Sequence, residues 1–118
     1  MQIHGIKYGS IDSIPWQPHP FLPGVKIKQI YALEDDIGIT SCLACIEKGH
    51  RTEIHIHEHS DDIFYVLEGT GKVYLEDIGE INIEPGSFVR VPKTINHGIV
   101  EVGDEDLILL EVFHPEAF

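Results

Sequence analysis

Beyond Val25 the chain never runs far without a residue that turns a strand or breaks its ladder. Asp35-Asp36, Lys48-Gly49, Gly69-Thr70-Gly71, Asp77-Ile78-Gly79, Pro85-Gly86, Pro92-Lys93 and Gly103-Asp104 punctuate it, each supplying a turn dihedral or removing a backbone donor. The runs between them are short and β-prone, and none carries helical periodicity over ten residues. The spacing predicts strands near 25–33, 38–47, 52–57, 62–68, 71–76, 80–84, 87–91, 97–102 and 107–113. About nine short strands in a chain of 118 residues point to an all-β fold, an antiparallel sandwich or closed barrel. A chain of this length buries about two-thirds of its unfolded surface in a single core, so one domain is expected.

The beginning of the chain differs in kind. Pro15, Pro18, Pro20 and Pro23 crowd into it together with Trp16 and Phe21. Prolines this dense lack the donors for a central strand and disfavour helix. We therefore expect an extended arm over residues 1–24 and a barrel domain over 25–118, with the arm's aromatics packing on the domain, rimming a pocket or crossing to a second subunit.

The net charge of −12 disfavours nucleic acid and anionic membrane as partners, because the summed field repels phosphate. No apolar run approaches the roughly 20 residues of a membrane span, and the start of the chain lacks a basic segment followed by an apolar block. The cytoplasm is the expected address. Cys42 and Cys45 lie three apart in a predicted strand and so face opposite ways, which suits two buried thiols better than a zinc half-site or a redox pair. Ile63-Phe64-Tyr65-Val66-Leu67 is apolar on both strand faces. A strand of that kind needs cover on both sides, which a homodimer would supply.

Residues 49–69 hold the densest chemistry. His50, His55, His57 and His59 precede two adjacent aspartates, Asp61 and Asp62. Side chains two apart on a strand project the same way, so His55 and His57 can offer two imidazoles to one ion. Further ligands must come from His59, Asp61 or Asp62 nearby, or from His97, which stands where the loop after Pro92 turns into the next strand. A small antiparallel barrel brings the inward faces of distant strands together, which makes a site of His55, His57, one aspartate and His97 reasonable. Glu53 could orient a ring or act as a base, and Arg90 could clamp an anion, although its flanking valines make it an outward residue. His4, His19, His50 and His114 are scattered and receive no role.

On these residues the chain resembles a small single-domain cupin. The first motif of that family is Gly, five residues, His-x-His, three or four residues, Glu, six residues and Gly; Gly49, His55, His57, Asp62 and Gly69 fall on it. The second is Gly, five residues, Pro-x-Gly, two residues, His, three residues and Asn; Gly86, Pro92 and His97 match its spacing. Three positions depart: Asp62 stands for Glu, Thr94 for Gly and Glu101 for Asn. The resemblance implies a double-stranded β-helix, or jelly-roll barrel. It also implies a divalent transition metal held by His55, His57, Asp62 and His97; His59 shares the face of His55 and His57 and is the stand-in should the shorter Asp62 fall short, although the resemblance implies that it lies beyond the ligands.

Three imidazoles and a carboxylate suit Mn, Fe, Co, Ni, Cu or Zn, and on an octahedral ion they leave two positions open for chemistry. The resemblance implies a metalloenzyme acting on a small polar, oxygen-rich molecule by oxygenation, decarboxylation or lyase chemistry, or sugar isomerisation. The other reading is a non-catalytic small-molecule binding or sensing module on the same barrel. Imidazole binds metal only when neutral, so metal affinity is expected to fall as pH drops below about 6.5. Metal content measured after dialysis across a pH series checks this; retention unchanged down to about pH 4 would exclude histidine ligation.

Overall fold

The computed structural model describes residues 5–118; His4 lies outside them. Nine strands form: β1 (Gln17–Pro18), β2 (Val25–Tyr31), β3 (Thr40–Ile46), β4 (Asp61–Glu68), β5 (Gly71–Leu75), β6 (Gly79–Ile83), β7 (Phe88–Val91), β8 (His97–Val102) and β9 (Leu107–His114). Helical geometry among the described residues is confined to two 3-10 turns, Ile11–Ser13 and Leu33–Asp35. None of it is long and apolar enough to cross a membrane. One sheet has the order β1-β2-β3-β9-β4-β7 and the other the order β6-β5-β8, with every pairing antiparallel.

The strands obey the two-residue period that the sequence predicts. On β4, Asp62, Phe64 and Val66 are buried while Tyr65 is exposed. On β9 the inward set is Leu107, Leu109, Glu111 and Phe113, since the cross-strand partners of Glu111 are the buried Cys42 and Phe64. These residues join Val25 and Ile27 of β2, Val73 of β5, Ile83 of β6 and Ile99 of β8 in one core between the sheets. Cys42 belongs to that core and Cys45 to the opposite face of β3, both as free buried thiols.

Most of the expected strands form within a residue or two, but 52–57 does not. It meets β8 through an isolated bridge between His55 and His97 and through Thr52, whose N–H donates to the Ile99 carbonyl (2.9 Å), without forming a continuous ladder. The reason lies in where its polar atoms go. The backbone N–H of Ile99 donates to the Thr52 hydroxyl (2.8 Å), and the Glu53 carbonyl accepts from the imidazole of His55 (2.7 Å). Side chains thus occupy the positions a continued ladder would need, and the segment stays irregular. Gly98 permits the close approach, because a Cβ there would lie 2.9 Å from the Glu53 oxygen.

The proline-rich segment contributes β1, whose Gln17 and Pro18 pair with Ile27 and Lys26 at the sheet edge. After β9 the chain doubles back, and the N–H of Ala117 donates to the fully buried Thr40 hydroxyl (3.0 Å). Segments from both ends of the described chain therefore meet at the same mouth of the barrel.

Candidate metal centre

His55 and His97 are paired through their backbones, the N–H of each donating to the carbonyl of the other at 2.9 and 3.0 Å. His57 follows on the same irregular segment, and its carbonyl accepts from the N–H of Thr94 (2.8 Å). Thr94 adopts a φ of 71°, a left-handed conformation suited to the glycine of the family motif. The three imidazoles gather with ring centroids 4.4 to 5.2 Å apart, and one nitrogen from each lies within 4.8 Å of the others.

Hydrogen bonds fix which nitrogen faces inward. Nδ1 of His55 bonds the Glu53 carbonyl and Nδ1 of His97 bonds the Ile95 carbonyl (2.9 Å), so in both neutral rings Nδ1 carries the proton and Nε2 a lone pair. Asp62, on the inward face of β4, places Oδ2 3.2 Å from Nε2 of His97 and 3.5 Å from Nε2 of His57. A lone pair facing a carboxylate at that distance needs a cation between them, either a proton or a metal. His57 Nε2 and Asp62 Oδ1 are moreover buried with no hydrogen-bond donor or acceptor to satisfy them. Inward lone pairs, a buried carboxylate and orphaned polar atoms fit a divalent transition metal well.

The electrostatics agree with this arrangement. Burial lowers the pKa of His55, which favours the neutral, metal-binding form. Burial acts on His97 in the same direction, but the Asp62 carboxylate and the Ile95 carbonyl outweigh it and raise its pKa. Burial also opposes ionisation of Asp62, yet the facing His57 and His97 rings and the neighbouring Glu111 hold it below the usual carboxylate range.

Glu111 and His19 were not singled out by the sequence reading. Glu111 projects from β9 into the barrel beside Asp62, and burial followed by the Asp62 charge raises its pKa well above the ordinary value. Its signal was alternation: it shares the parity of Leu107, Leu109 and Phe113. His19 comes from the proline-rich segment, where no spacing relates it to the cluster, yet it lines the space above His55 and His57. Other candidates are turned away. The exposed His59 places Nε2 3.8 Å from Glu58, and Asp61 is bonded by Arg90 at 2.8 Å on the outside of the sheet. Glu53 acts on His55 through its carbonyl, with its side chain exposed.

A family model described as a cupin domain matches residues 42–113, more than half of the chain. The chain belongs to the cupin family. It is 29% identical over 84 residues to the oxalate decarboxylase OxdC of Bacillus subtilis, covering 68% of this chain and 22% of that protein. It is 33% identical over 72 residues to a glucose-6-phosphate isomerase of Pyrococcus furiosus, covering 56% of this chain and 38% of the isomerase. The chain thus spans well under half the length of either relative. Its fold matches the crystal structure of a predicted oxalate decarboxylase from Thermotoga maritima with a TM-score of 0.82 at 19% identity, over 92% of this chain and 99% of that one.

The raised pKa of Glu111 has a consequence for stability. Between the ordinary carboxylate pKa and its own raised value, the folded chain holds a proton that the unfolded chain has released, so this residue's contribution to stability falls as pH rises. Glu111→Gln keeps a donor toward Asp62 without needing that proton. In the metal-free protein it is expected to raise Tm on the order of 5 °C at pH 8 and much less at pH 5. Thermal melts at the two pH values check this; an equal shift at both would refute it.

Proposed function

We propose that this chain is a metal-dependent cupin enzyme acting on a small, oxygen-bearing molecule. His55, His57 and His97 would hold a divalent transition metal through Nε2, and Asp62 would supply the carboxylate. The observation that carries the reading is the gathering of three imidazoles within reach of one ion beside the buried Asp62, whose Oδ2 lies 3.2 Å from His97 Nε2. A bound ion of this kind would polarise a coordinated oxygen as a Lewis acid or, as iron, copper or manganese, give access to dioxygen chemistry. The similarity to an oxalate decarboxylase and to a glucose-6-phosphate isomerase supports decarboxylation or another lyase reaction, or isomerisation, within the range of reactions such a site could run.

The chain's own residues would do the rest. The His55–His97 backbone bridge spaces two of the imidazoles before any ion arrives. Glu111, protonated beside Asp62, would satisfy that carboxylate and hold it in place. The cavity next to the histidines has a volume of about 40 Å³, room for an ion and a few water-sized ligands. Both thiols being free and buried suits a chain that works in the cytoplasm.

Elemental analysis of protein purified without a metal-affinity tag tests the site. About one ion per chain is expected in the parent, and His97→Ala and Asp62→Ala should each lose at least about tenfold in metal affinity. Negligible metal in the parent would remove the enzyme reading. Full occupancy in Asp62→Ala, together with loss in His59→Ala, would replace Asp62 by His59 as the fourth ligand.

We further propose that the chain pairs as a homodimer through the outer face of the six-stranded sheet. Tyr65 and Leu67 are each 46% exposed there, and Phe88, the cross-strand neighbour of Tyr65, is 78% exposed. Such an apolar strip on a sheet face suits an interface of the usual size, about 800 Å² per partner. Light scattering after size exclusion should give a dimer for the parent and a monomer for Phe88→Asp. A monomeric parent at micromolar concentration would overturn this.

A further inference from the structure

Above the metal centre the barrel opens into a vestibule of about 620 Å³. The two spaces are continuous, since His19, Leu22, His55 and His57 line both. The inner cavity is too small for anything but an ion and its smallest ligands, so a larger molecule reaching the centre must keep its body in the vestibule. What lines the vestibule therefore decides what the site accepts.

Its walls are apolar. Phe21 and Leu22 come from the proline-rich segment, Leu33 from the second 3-10 turn, Ile56 from between the two histidines, and Ala117 and Phe118 from the segment after β9. Phe21 is 71% exposed, Leu33 54% and Ile56 42%. Apolar side chains left open around a concave site mark a ligand surface. Rings form a continuous path down to the metal centre: Phe21 to Phe118 at 5.6 Å, Phe118 to Phe113 at 5.1 Å, and Phe113 to His57 at 5.2 Å between centroids.

Its charge is equally telling. No lysine or arginine lines either the vestibule or the inner cavity among the described residues, while Glu58 and Glu116 stand at the vestibule's edge. A phosphate, or a carboxylate not bound to the ion, would find no guanidinium or ammonium there and would meet the field of a chain with net charge −12. Only a group coordinated by the ion itself could be anionic.

Of the polar groups at the vestibule, which include His59 and Ser60, His19 is held in place by its neighbours. Nδ1 of His19 accepts hydrogen bonds from the N–H groups of Phe21 (3.0 Å) and Leu22 (3.1 Å), which places the ring proton on Nε2. Burial, with the neighbouring His55 and His57, lowers the pKa of His19 to about 4, so the ring stays neutral. The Phe118 ring, 4.6 Å away, packs on it edge to face. No protein acceptor meets Nε2 among the described residues, which leaves its proton for a ligand.

We infer that the vestibule takes an uncharged, flat, largely apolar molecule that carries oxygen atoms on one edge, with those oxygens directed at the metal centre and His19 Nε2–H donating to the ligand. The inference rests on the metal-site reading and narrows it. It sets this chain apart from proteins that act on sugar phosphates, whose phosphate, held away from the ion, would meet no lysine or arginine in the vestibule among the described residues.

The test uses the full chain loaded with zinc, its metal content measured first, and isothermal titration with three probes: 2,3-dihydroxynaphthalene, oxalate and glucose 6-phosphate. The naphthalene diol should bind at least about tenfold tighter than glucose 6-phosphate, and Phe21→Ala should cost it about tenfold, since one wall of apolar contact is lost. Phe21 is exposed, so this variant is expected to fold and to keep its metal. Phe21→Arg supplies the missing cation and should reverse part of the preference, tightening glucose 6-phosphate by about tenfold. Tighter binding of glucose 6-phosphate than of the diol to the parent would overturn the inference, as would oxalate binding to the metal-free chain or unchanged diol affinity in Phe21→Ala. Zinc uptake without diol binding defeats the vestibule assignment and leaves the metal site standing. Failure to take up zinc defeats the metal site, and diol binding by that metal-free chain would still support the vestibule.

Discussion

Lone pairs that face one another across a buried gap are an unstable arrangement unless a positive charge lies between them. His97 and His57 present Nε2 to the same oxygen of Asp62 at 3.2 and 3.5 Å, and His55 joins them from the side. A proton can serve one such pair, and its effect shows in the raised pKa of His97. It cannot serve three imidazoles at once. The remainder of the molecule is best understood as what holds these groups together despite that mutual repulsion. Core strands fix Asp62, carbonyl oxygens fix two of the rings, and a second carboxyl group, Glu111, its pKa raised by burial, lies beside the first.

That second carboxyl illustrates how much a packed β-barrel can hide in a regular pattern. The alternation of β9 was legible in the sequence, and so were most strand limits, the burial of Cys42 and Cys45, and the outward turn of Arg90. The same alternation placed Glu111 inside, but a single acid in an apolar strand carries no spacing that ties it to Asp62. Their proximity arises from β4 and β9 being neighbours, a pairing between segments more than forty residues apart. Local pattern fixes which face a residue occupies; only the strand order fixes whom it meets.

The segment 52–57 shows the reverse case. Its composition reads as a strand, and its two histidines do reach the same place. They do so from irregular backbone, because the Thr52 hydroxyl and the His55 ring take the hydrogen bonds a ladder would have used. Side chains competing for backbone groups are invisible to periodicity. His19 was hidden for a different reason. It reaches the barrel mouth through the course of a proline-rich segment whose only regular pairing is the two-residue strand β1, and nothing in its immediate neighbours signals that destination.

The bridge between His55 and His97 has a consequence for metal choice. Two candidate ligands are each other's backbone partners, so the separation of their imidazoles is set by a pair of amide hydrogen bonds and by a glycine, Gly98, beneath them. Widening the gap would mean stretching or breaking those bonds, and narrowing it is resisted by the close approach at Gly98. The aperture is therefore stiff along one direction and adjustable only through His57 and Asp62. An ion held there would meet a ruler on one side and a hinge on the other, and differences in ionic radius would be absorbed by His57 and the aspartate.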